Sequence, residues 1–570
     1  LFYSLAAPTR STMKNLLSRR VVLKGMSAML VAPLALSVQA RPLNTGKSFF
    51  RHGVASGDPD QTSLVIWTRI TSTTSQPFVK WEIALDANFS LVIQSGSKQT
   101  NADRDFTVKV LVQDLKPGQV YYYRFSENSE VSAAGRTMTL PDGHVEKLGI
   151  AVASCSNYPF GYFNAYDAIA KDIEIDLVIH LGDYIYEYAQ DGWGATIGAE
   201  LDRNHQPPHE IISLADYRLR HAQYKSDQDS QNMHAAHPVI VMWDDHESTN
   251  NPWMQGAQNH QSETEGPWPL RRDASLQAYY EWMPIRDPDL GTSLAQYWRH
   301  FKFGDLLSLT TLETRHTGRA KQIDYLEHKT SLETREGTDK FLADVLADPS
   351  RNMLSDPMER FLFESLSESV SSKRTWRLIG NQIPIAKTHV PPLNHAFFQP
   401  NPSQNPDPLA EEWKAMTQLG ELDLPIYLDT WDGYPAARER FYRTCSAAGA
   451  KDLLVLTGDS HSFWQNTLLT EAGKAMGVEL GTTGISSPGD FLRYGLEGAE
   501  LMDQLLANHN DEVVWTETRY NGYIRLVLDH QRARTDFVAV STVLSTEYQT
   551  QLLKSVSIVK SGDSLAYAPQ

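Results

Sequence analysis

The stretch that decides the fold of this chain reads AVASCSNYPFGYFNAYDAIAKDIEIDLVIHLGDYIYEY (Ala151–Tyr188). The apolar runs Leu148–Ala153 and Leu177–Leu181 have the length and flanking residues of buried strands, and Ala165–Lys171 between them has the pattern of a short helix. This strand–helix–strand order predicts parallel strands in an α/β sheet. Ligands of such sheets bind beyond the carboxyl ends of the strands, so the residues after each run are the first candidates for function.

The residues that follow these strands are metal-binding types. Cys155 comes after the first strand, and Asp183 and Tyr186 come after the second. The pattern recurs where Val239–Trp243 runs into DDHESTNN, which includes Asp245, His246, Asn250 and Asn251, and where Leu453–Leu456 runs into TGDSH, which includes Asp459 and His461. A single motif of this kind can occur by chance. Thiol, phenol, imidazole and carboxylate groups after four apolar strands together predict a metal-centred active site.

Composition and charge restrict the classes of function. The chain has 570 residues, of which 41% are apolar and 10% aromatic, so it can form sizeable cores. Its formal net charge is −17. A surface of this sign does not favour nucleic-acid backbones, so we expect no nucleic-acid binding beyond a possible substrate. An anionic substrate would have to be attracted locally, most easily by bound cations.

The N-terminal segment is typical of an export signal. Met13 is the predicted start, and Ser18–Lys24 (SRRVVLK) resembles the twin-arginine motif. The apolar run Gly25–Val38 follows, with small residues suited to cleavage after Ala40, and it is too short for a good membrane span. We interpret residues 13–40 as a twin-arginine signal peptide. The expected partner is then the Tat export machinery, and the location is periplasmic or secreted without stable membrane insertion. An amphipathic basic helix or an uncleaved anchor is the alternative.

The two cysteines allow two interpretations. Cys155 and Cys445 could form one disulfide in an oxidising compartment. Cys155 stands at a strand end where a metal ligand is expected, however. We therefore favour a thiolate ligand at Cys155 and a lone Cys445.

The chain divides by its patterns into two folded parts. Residues 49–142 contain short alternating runs that predict an antiparallel β-sandwich of fibronectin or immunoglobulin type: Thr62–Ile70, Val79–Leu85, Phe106–Leu115 and Val120–Phe125. Residues 146–570 are assigned to the catalytic domain. Within them, Pro391–Pro408 is predicted to be a loop or lid. Tyr523–Leu528 and Arg534–Val540 predict a closing hairpin, and a helical tail is expected after it. The histidines scattered over residues 189–237 are expected on the surface.

The ligand types indicate the chemistry. A carboxylate such as Asp183 can bridge two cations, and paired cations cleave phosphate esters through in-line attack by a metal-bound hydroxide. His246, flanked by carboxylates, could contact the phosphoryl group or protonate the leaving oxygen. Phenolate and thiolate suit ferric iron, whereas carboxylate, amide and backbone oxygens suit calcium, magnesium or manganese.

Motifs along almost the whole chain carry a family resemblance. They include GVASGDP (Gly53–Pro59), ASCS (Ala153–Ser156), GDYIY (Gly182–Tyr186), Trp243–Asn251, Tyr279–Arg286, Thr430–Pro435, Leu456–His461 and Thr482–Pro488. On these motifs the chain resembles the alkaline phosphatase D family within the calcineurin-like metallophosphoesterases. The resemblance implies an α/β fold in which a two-sheet catalytic sandwich is preceded by a small antiparallel β-sandwich domain.

The resemblance also implies residue roles. The expected metal ligands are Cys155, Asp183, Tyr186, Asp245, Asp459 and His461, with iron (Fe³⁺) and calcium as cofactors and manganese, magnesium or zinc as alternatives. Catalysis is assigned to His246 and Asp183. Asn250 and Asn251 are expected to contact the second metal or the phosphate. Arg315 is expected to contact the substrate because of its position just beyond the predicted strand Leu306–Leu312, not because of the resemblance. Either Asn381 or Gln382 could complete the second metal site.

The predicted function is an exported, metal-dependent phosphoesterase of the alkaline phosphatase or phosphodiesterase type. One alternative is a phosphodiesterase for phospholipids or teichoic-acid-type polymers. A non-catalytic phosphate- or glycan-binding protein is the alternative from another class.

Overall fold

A computed structural model describes residues 49–72, 74–393 and 408–569. The predicted signal peptide, residues 13–40, lies outside the described residues, and so do residues 394–407 of the predicted loop. Among the residues described, no helix is long and apolar enough to cross a membrane.

Parallel strands form the centre of the first sheet. This 10-stranded sheet has the order β24-β23-β22-β21-β9-β10-β11-β1-β2-β5. Its strands are β1 (Val54–Gly57), β2 (Leu64–Arg69), β5 (Thr107–Val112), β9 (Leu148–Ala153), β10 (Leu177–His180), β11 (Val239–Val241), β21 (Gly522–Leu528), β22 (Ala533–Val540), β23 (Thr550–Ser561) and β24 (Ser564–Tyr567). β10 pairs in parallel with both β9 and β11, as the sequence predicts.

A second sheet faces the first across the main core. It has the order β14-β15-β16-β17-β19-β18-β20. These strands are β14 (His300–Phe303), β15 (Leu307–Thr311), β16 (Trp376–Gly380), β17 (Leu453–Thr457), β18 (Phe463–Leu469), β19 (Ala475–Gly481) and β20 (Val513–Glu517). Ile150 and Ile179 of the first sheet share one buried cluster with Leu378 and Leu454 of the second. The sandwich of two sheets is therefore the catalytic scaffold that the resemblance implies.

Helices pack on the outer faces of both sheets. Asn164–Lys171 and Trp268–Trp282 bury their apolar side chains against the first sheet, and Asp356–Ser371 and Pro435–Ala447 against the second. The other α-helices of the described residues are Ala195–Leu201, Leu214–Ser226, Gln228–Ala236, Ser262–Glu265, Arg335–Lys340, Pro408–Glu421 and Gly495–His509. Because both faces of β9, β10 and β11 are covered, their sequences are continuous apolar runs and do not alternate.

The N-terminal strands form a smaller sandwich that is joined to the first sheet. One layer is β1, β2 and β5, and the other consists of β3 (Phe78–Ala84), β4 (Val92–Gln99), β6 (Val120–Glu127), β7 (Glu130–Val131) and β8 (Gly135–Met138). The side chains of Ile66, Val79 and Tyr123 are buried between the layers. β1 continues the first sheet through parallel pairing of Gly57 with Val239. A short pair, β12 (Pro252–Trp253) and β13 (Gly256–Ala257), lies apart from these sheets.

The prediction of a helical tail is wrong. The last described residues form the strands β23 and β24, which extend the edge of the first sheet. Val556 and Ile558 lie two residues apart and are both buried in the main core, whereas Ser557 and Lys560 are less buried. The alternation of buried and less buried residues places one face of β23 against the main core, and burial of that face stabilises the tail as a strand.

The expectation that the histidines of residues 189–237 lie on the surface is also wrong for most of them. His205, His221, His234 and His237 are buried. His205 contacts the Tyr188 carbonyl and the Tyr224 hydroxyl, at 2.9 and 3.2 Å. These residues pack the long segment against the first sheet.

Candidate metal centre

The loops after the central strands meet at the carboxyl edge of the two sheets. The amide of Cys155 donates to the Gly182 carbonyl at 3.2 Å, which fixes the loop after β9 beside the loop after β10. Cys155, Asp183, Asp459 and His461 all have left-handed backbone, with φ of 59°, 56°, 63° and 53°. This conformation costs about 1 to 3 kcal/mol per non-glycine residue and is concentrated at functional sites.

Gly182 permits the close approach of two of these loops. Its φ is +110°, and a Cβ at this position would lie 2.4 Å from the backbone nitrogen of Asp244. Since Gly182 precedes Asp183 and Asp244 precedes Asp245, the missing side chain is what brings these two carboxylates together.

We therefore expect Gly182→Ala to lower the free energy of unfolding by about 3 kcal/mol or more, because steric overlap adds to backbone strain. Bound metal should fall as well, since Asp183 would be displaced from Asp245. Gly473→Ala is the matched control: its φ is +70°, but no atom lies within 4 Å of the added Cβ, so only strain of about 1 kcal/mol is expected. Urea unfolding and metal analysis of both variants test this. Equal losses in the two would contradict it.

One group of donor atoms lies around Cys155. The ligand atoms of Cys155, Asp183 and His461 lie within 4.8 Å of one another, and all three side chains are buried. The Tyr186 hydroxyl lies 3.0 Å from Asp183 Oδ2 and 3.3 Å from His461 Nε2. The Nδ1 of His461 donates to the Pro488 carbonyl at 3.1 Å, which leaves the Nε2 lone pair facing the group.

A second set of donors adjoins the first. Asp183, Asp245 and His246 form one close group, and Asp244, Asp245 and Asp459 form another. Asp183 is thus shared with the Cys155 group, and Asp245 is shared between the other two. The shared carboxylates make one continuous set of donors with room for adjacent cations.

The charge of this set is suited to cations. Burial, followed by the charges of Asp245 and Asp244, raises the pKa of Asp183 well above its usual value. Burial and the Asp183 charge likewise raise the pKa of the Cys155 thiol. Several carboxylates held together away from water repel one another unless positive charge is supplied. The donor chemistry therefore fits metal ions.

Arg315 supplies part of that positive charge. It is fully buried, and its Nε and Nη2 donate to Asp244 and Asp459 at 2.5 and 3.0 Å. Its Nη1 is buried without a hydrogen-bond partner. The sequence predicts Arg315 as a substrate contact, and in the structure it lies among the candidate ligands with one donor still free.

The orientation of His246 depends on a residue that sequence reasoning missed. Glu187 Oε2 lies 2.6 Å from His246 Nδ1, and Glu187 Oε1 accepts the amide of Asn250 at 2.8 Å. Burial alone would lower the pKa of His246, but the charges of Asp245 and Glu187 raise it to about 9. Glu187 directly follows Tyr186, yet no sequence signal links it to a histidine 59 residues away.

Glu247 is a second residue whose role only the structure reveals. Its buried carboxylate accepts the amides of Asp183, Tyr184 and Asp244, at 3.0, 2.5 and 2.8 Å. Glu247 thereby fastens the loop after β10 to the loop after β11. These contacts hold Asp183 and the loop that carries Asp245 in place.

The other two predicted substrate contacts, Asn250 and Asn251, lie at one side of the donors. The side-chain amides of Asn250 and Asn251 both donate to Gln258 Oε1, at 2.8 and 3.0 Å. Asn251 lines a cavity of about 390 Å³ together with Tyr427 and Asp429. On another side Trp193, which sequence reasoning missed, stacks on His461 at 5.7 Å between ring centroids. Aromatic and amide groups therefore border the donors.

The structure distinguishes the two candidates that sequence reasoning left open. Gln382 is satisfied: its Oε1 accepts from Thr314 Oγ1 and its Nε2 donates to the Leu312 carbonyl, both at 2.7 Å. The amide nitrogen of Asn381 donates to the Ile383 carbonyl, but its Oδ1 is buried without a partner. Of the two, Asn381 has the free ligand atom.

The cysteines do not form a disulfide. Both are buried free thiols, Cys155 among the donors and Cys445 on the buried face of the helix Pro435–Ala447. Their separate surroundings leave the thiol of Cys155 free to act as a ligand.

Comparisons with known proteins identify the family and the fold. A family model described as "PhoD-like phosphatase" matches residues 150–537, and one described as "PhoD-like phosphatase, N-terminal domain" matches residues 36–141. Alkaline phosphatase D of Bacillus subtilis (strain 168) is 33% identical over 575 aligned residues, covering 95% of this chain and 89% of that protein. A solved structure described as "Structure of PhoD" is similar with a TM-score of 0.73 and 31% identity, covering 92% of this chain and 93% of that one.

Proposed function

This chain belongs to the PhoD-like phosphatase family of phosphoric ester hydrolases, and on that premise we propose that it hydrolyses phosphate mono- and diesters at a centre of two cations. The observation that carries the proposal is that Asp183 belongs to two groups of potential ligands at once. A carboxylate shared in this way is the expected arrangement for paired metals. Membership of a hydrolase family disfavours the alternative of a non-catalytic binding protein.

In this proposal the two cations have different ligands. Cys155, Tyr186 and His461 would hold the first with Asp183, and this thiolate and phenolate set suits ferric iron. Asp245 and Asp459 would hold the second with Asp183 and the free oxygen of Asn381, and this oxygen-rich set suits calcium. Manganese, magnesium and zinc remain the alternatives. When bound, the cations would neutralise the phosphate oxygens and acidify the attacking water.

The other residues bind substrate and transfer a proton. The free Nη1 of Arg315 is a donor for a phosphate oxygen. The Nδ1 of His246 is held by Glu187, so its Nε2 is the atom that would donate a proton to the leaving oxygen. Asn250 and Asn251 would contact the phosphate or its ester group. The cavity beside Asn251 would accept the alcohol part of a diester.

The direct test combines metal analysis with hydrolysis assays. Protein purified from the exported fraction without chelators is analysed by mass spectrometry, and nitrophenyl mono- and diesters are assayed before and after metal removal. Stoichiometric iron and calcium with hydrolysis that is lost on chelation would support the whole proposal. Zinc or manganese alone would overturn the ligand chemistry, and absence of any bound metal in an active enzyme would overturn the centre.

The free oxygen of Asn381 leads to a specific prediction. Asn381→Ala should weaken binding of one cation about tenfold or more, because it removes a ligand. Gln382→Ala is the control at the next position: it leaves the partners in Thr314 and Leu312 unpaired and should cost about 1 to 3 kcal/mol of stability without lowering metal content. Competition with a metal-binding dye and urea unfolding measure both quantities. Loss of the metal in Gln382→Ala alone would reverse the assignment.

We further propose the division and export of the chain that the sequence predicts: a twin-arginine signal at 13–40, an N-terminal β-sandwich domain at 49–142 and a catalytic domain at 146–570. The separate family matches at 36–141 and 150–537 support the two folded parts.

Changing Arg19 and Arg20 to lysine should abolish export, and the exported protein should begin near Arg41. Fractionation and N-terminal sequencing test this. Export of the lysine variant at the normal rate would contradict the signal.

A further inference from the structure

Three side chains from distant parts of the chain meet at the surface. His144 Nδ1 lies 2.9 Å from Asp305 Oδ2, and His530 Nε2 lies 3.4 Å from Asp305 Oδ1. One ligand atom from each residue lies within 4.8 Å of the other two. The two imidazole rings are stacked, with centroids 5.1 Å apart and planes 7° apart, so both face the same carboxylate.

This cluster lies at the opposite end of the sheets from the candidate metal centre. His144 precedes β9, Asp305 precedes β15, and His530 follows β21, which runs antiparallel to β9. All three therefore stand at the amino ends of the parallel strands. The centre around Asp183 stands at the carboxyl ends, so the cluster belongs to no part of it.

The carboxylate–imidazole distances are compatible with a tetrahedral metal site. Ligand atoms about 2.1 Å from a zinc ion in tetrahedral geometry lie about 3.4 Å from one another. The two carboxylate–imidazole distances, 2.9 and 3.4 Å, are close to this value. The side chains of His144 and Asp305 keep 71% and 45% of their accessible surface, which gives an ion an entry path and leaves a fourth position for water.

The hydrogen bonds around His530 also prepare it as a ligand. Thr375 Oγ1 lies 2.7 Å from His530 Nδ1 and occupies that ring nitrogen. The other nitrogen, Nε2, is buried and has no hydrogen-bond partner, although it faces Asp305. In metal-binding histidines one ring nitrogen usually makes a hydrogen bond that fixes the imidazole. The other ring nitrogen is then free to bind the metal.

A second cluster of two histidines and one aspartate has a different arrangement of contacts. His389 Nδ1 and His509 Nε2 both contact the same oxygen of Asp423, Oδ1, at 3.2 and 3.0 Å. Here each imidazole is hydrogen-bonded to one shared oxygen, as in an ordinary charge-pair cluster. In the first cluster the imidazoles face different oxygens, and the Nε2 of His530 makes no hydrogen bond.

We propose that His144, Asp305 and His530 form a binding site for a divalent transition-metal ion, best matched by Zn²⁺, separate from the hydrolytic centre. Two imidazoles and one carboxylate with an open fourth position are typical zinc ligands. Residue 144 lies between the two matched family regions, and the amide of Val145 donates to Asp305 Oδ1 at 3.0 Å. An ion here would therefore fasten the connection between the N-terminal strands and both catalytic sheets.

The test is zinc binding to protein that retains its native metals. Equilibrium dialysis against Zn²⁺ should give one equivalent more for the wild type than for the double variant His144→Ala/His530→Ala. The control variant His389→Ala/His509→Ala should bind as much as the wild type. Zinc should raise the Tm of the wild type and of the control but not of the double variant, and phosphoester hydrolysis should be unchanged in the double variant.

Thr375→Val provides a milder second variant with both histidines present. Because it removes only the contact that orients His530, zinc affinity should fall about 10- to 100-fold. The proposal is overturned if the His144→Ala/His530→Ala variant binds as much zinc as the wild type. It is also overturned if the control variant His389→Ala/His509→Ala binds one equivalent of zinc less than the wild type. Unchanged affinity in Thr375→Val would remove the orienting role of Thr375 and contradict the assignment of His530 Nε2.

Discussion

Asp183→Ala is expected to lower kcat/KM for phosphate esters by about a thousandfold or more and to remove bound metal. The reason is that Asp183 belongs to both the Cys155 group and the Asp245 group, so its loss affects both proposed cations. Each factor of ten corresponds to about 1.4 kcal/mol, and metal charge stabilisation supplies several kcal/mol of the barrier reduction. Steady-state kinetics and metal analysis measure the two effects.

The same variant should not unfold the protein. In metal-free protein burial raises the pKa of Asp183, and the charges of Asp245, Asp244 and Asp459 raise it further. Removing it relieves repulsion, so the Tm of the metal-free variant should equal or exceed that of metal-free wild type. Asp452→Ala, at the other end of β17 from Asp459, is the control that should lower stability but leave kcat/KM unchanged. A nearly wild-type rate in Asp183→Ala would refute the site.

His246→Gln is expected to lower the rate about 10²- to 10⁴-fold for alkyl phosphate esters, the usual contribution of a general acid. The loss should be much smaller for nitrophenyl esters, because nitrophenolate leaves without a proton. The structural basis is the 2.6 Å contact between His246 Nδ1 and Glu187, which leaves Nε2 as the donating atom. Both ester types are assayed with the same enzyme preparation. The loss of rate for alkyl esters divided by the loss for nitrophenyl esters tests the general-acid role of His246.

A purely structural role of His246 predicts a different pattern. It would lower both rates by the same factor, as we expect for the control His205→Gln, since His205 is buried against Tyr188 and Tyr224. Equal losses for alkyl and nitrophenyl esters in His246→Gln would therefore remove the acid role. They would leave His246 as a contact that holds the phosphate.

Most of the candidate site could be predicted because its residues follow apolar strands directly. In a parallel sheet a strand end fixes where the next residue lies, so Cys155, Asp183, Asp245 and Asp459 could be placed at one edge from spacing alone. Glu187 and Glu247 could not be found in this way. Their roles depend on contacts to His246 and to the amides of a neighbouring loop, and these contacts have no sequence period.

Strands with little burial were also missed. β4 has both faces largely exposed, so VIQSGSKQ lacks the apolar alternation that indicates a strand. It exists because it pairs with β3 through backbone hydrogen bonds. The tail was misassigned for a related reason, since its alternation is short and its partner β22 is what makes it a strand.

The α/β class, the family and the candidate metal ligands could be predicted from the sequence, because these predictions depend on residues that are close along the chain. Tertiary structure alone decided that Asp183 is shared by two ligand groups and that Asn381, not Gln382, has a free oxygen. It also decided that His144, Asp305 and His530 meet, although Asp305 is 161 residues from His144. Such contacts arise when strands that are distant along the chain pair with one another and bring their loops together. A local sequence pattern does not indicate which loops will meet.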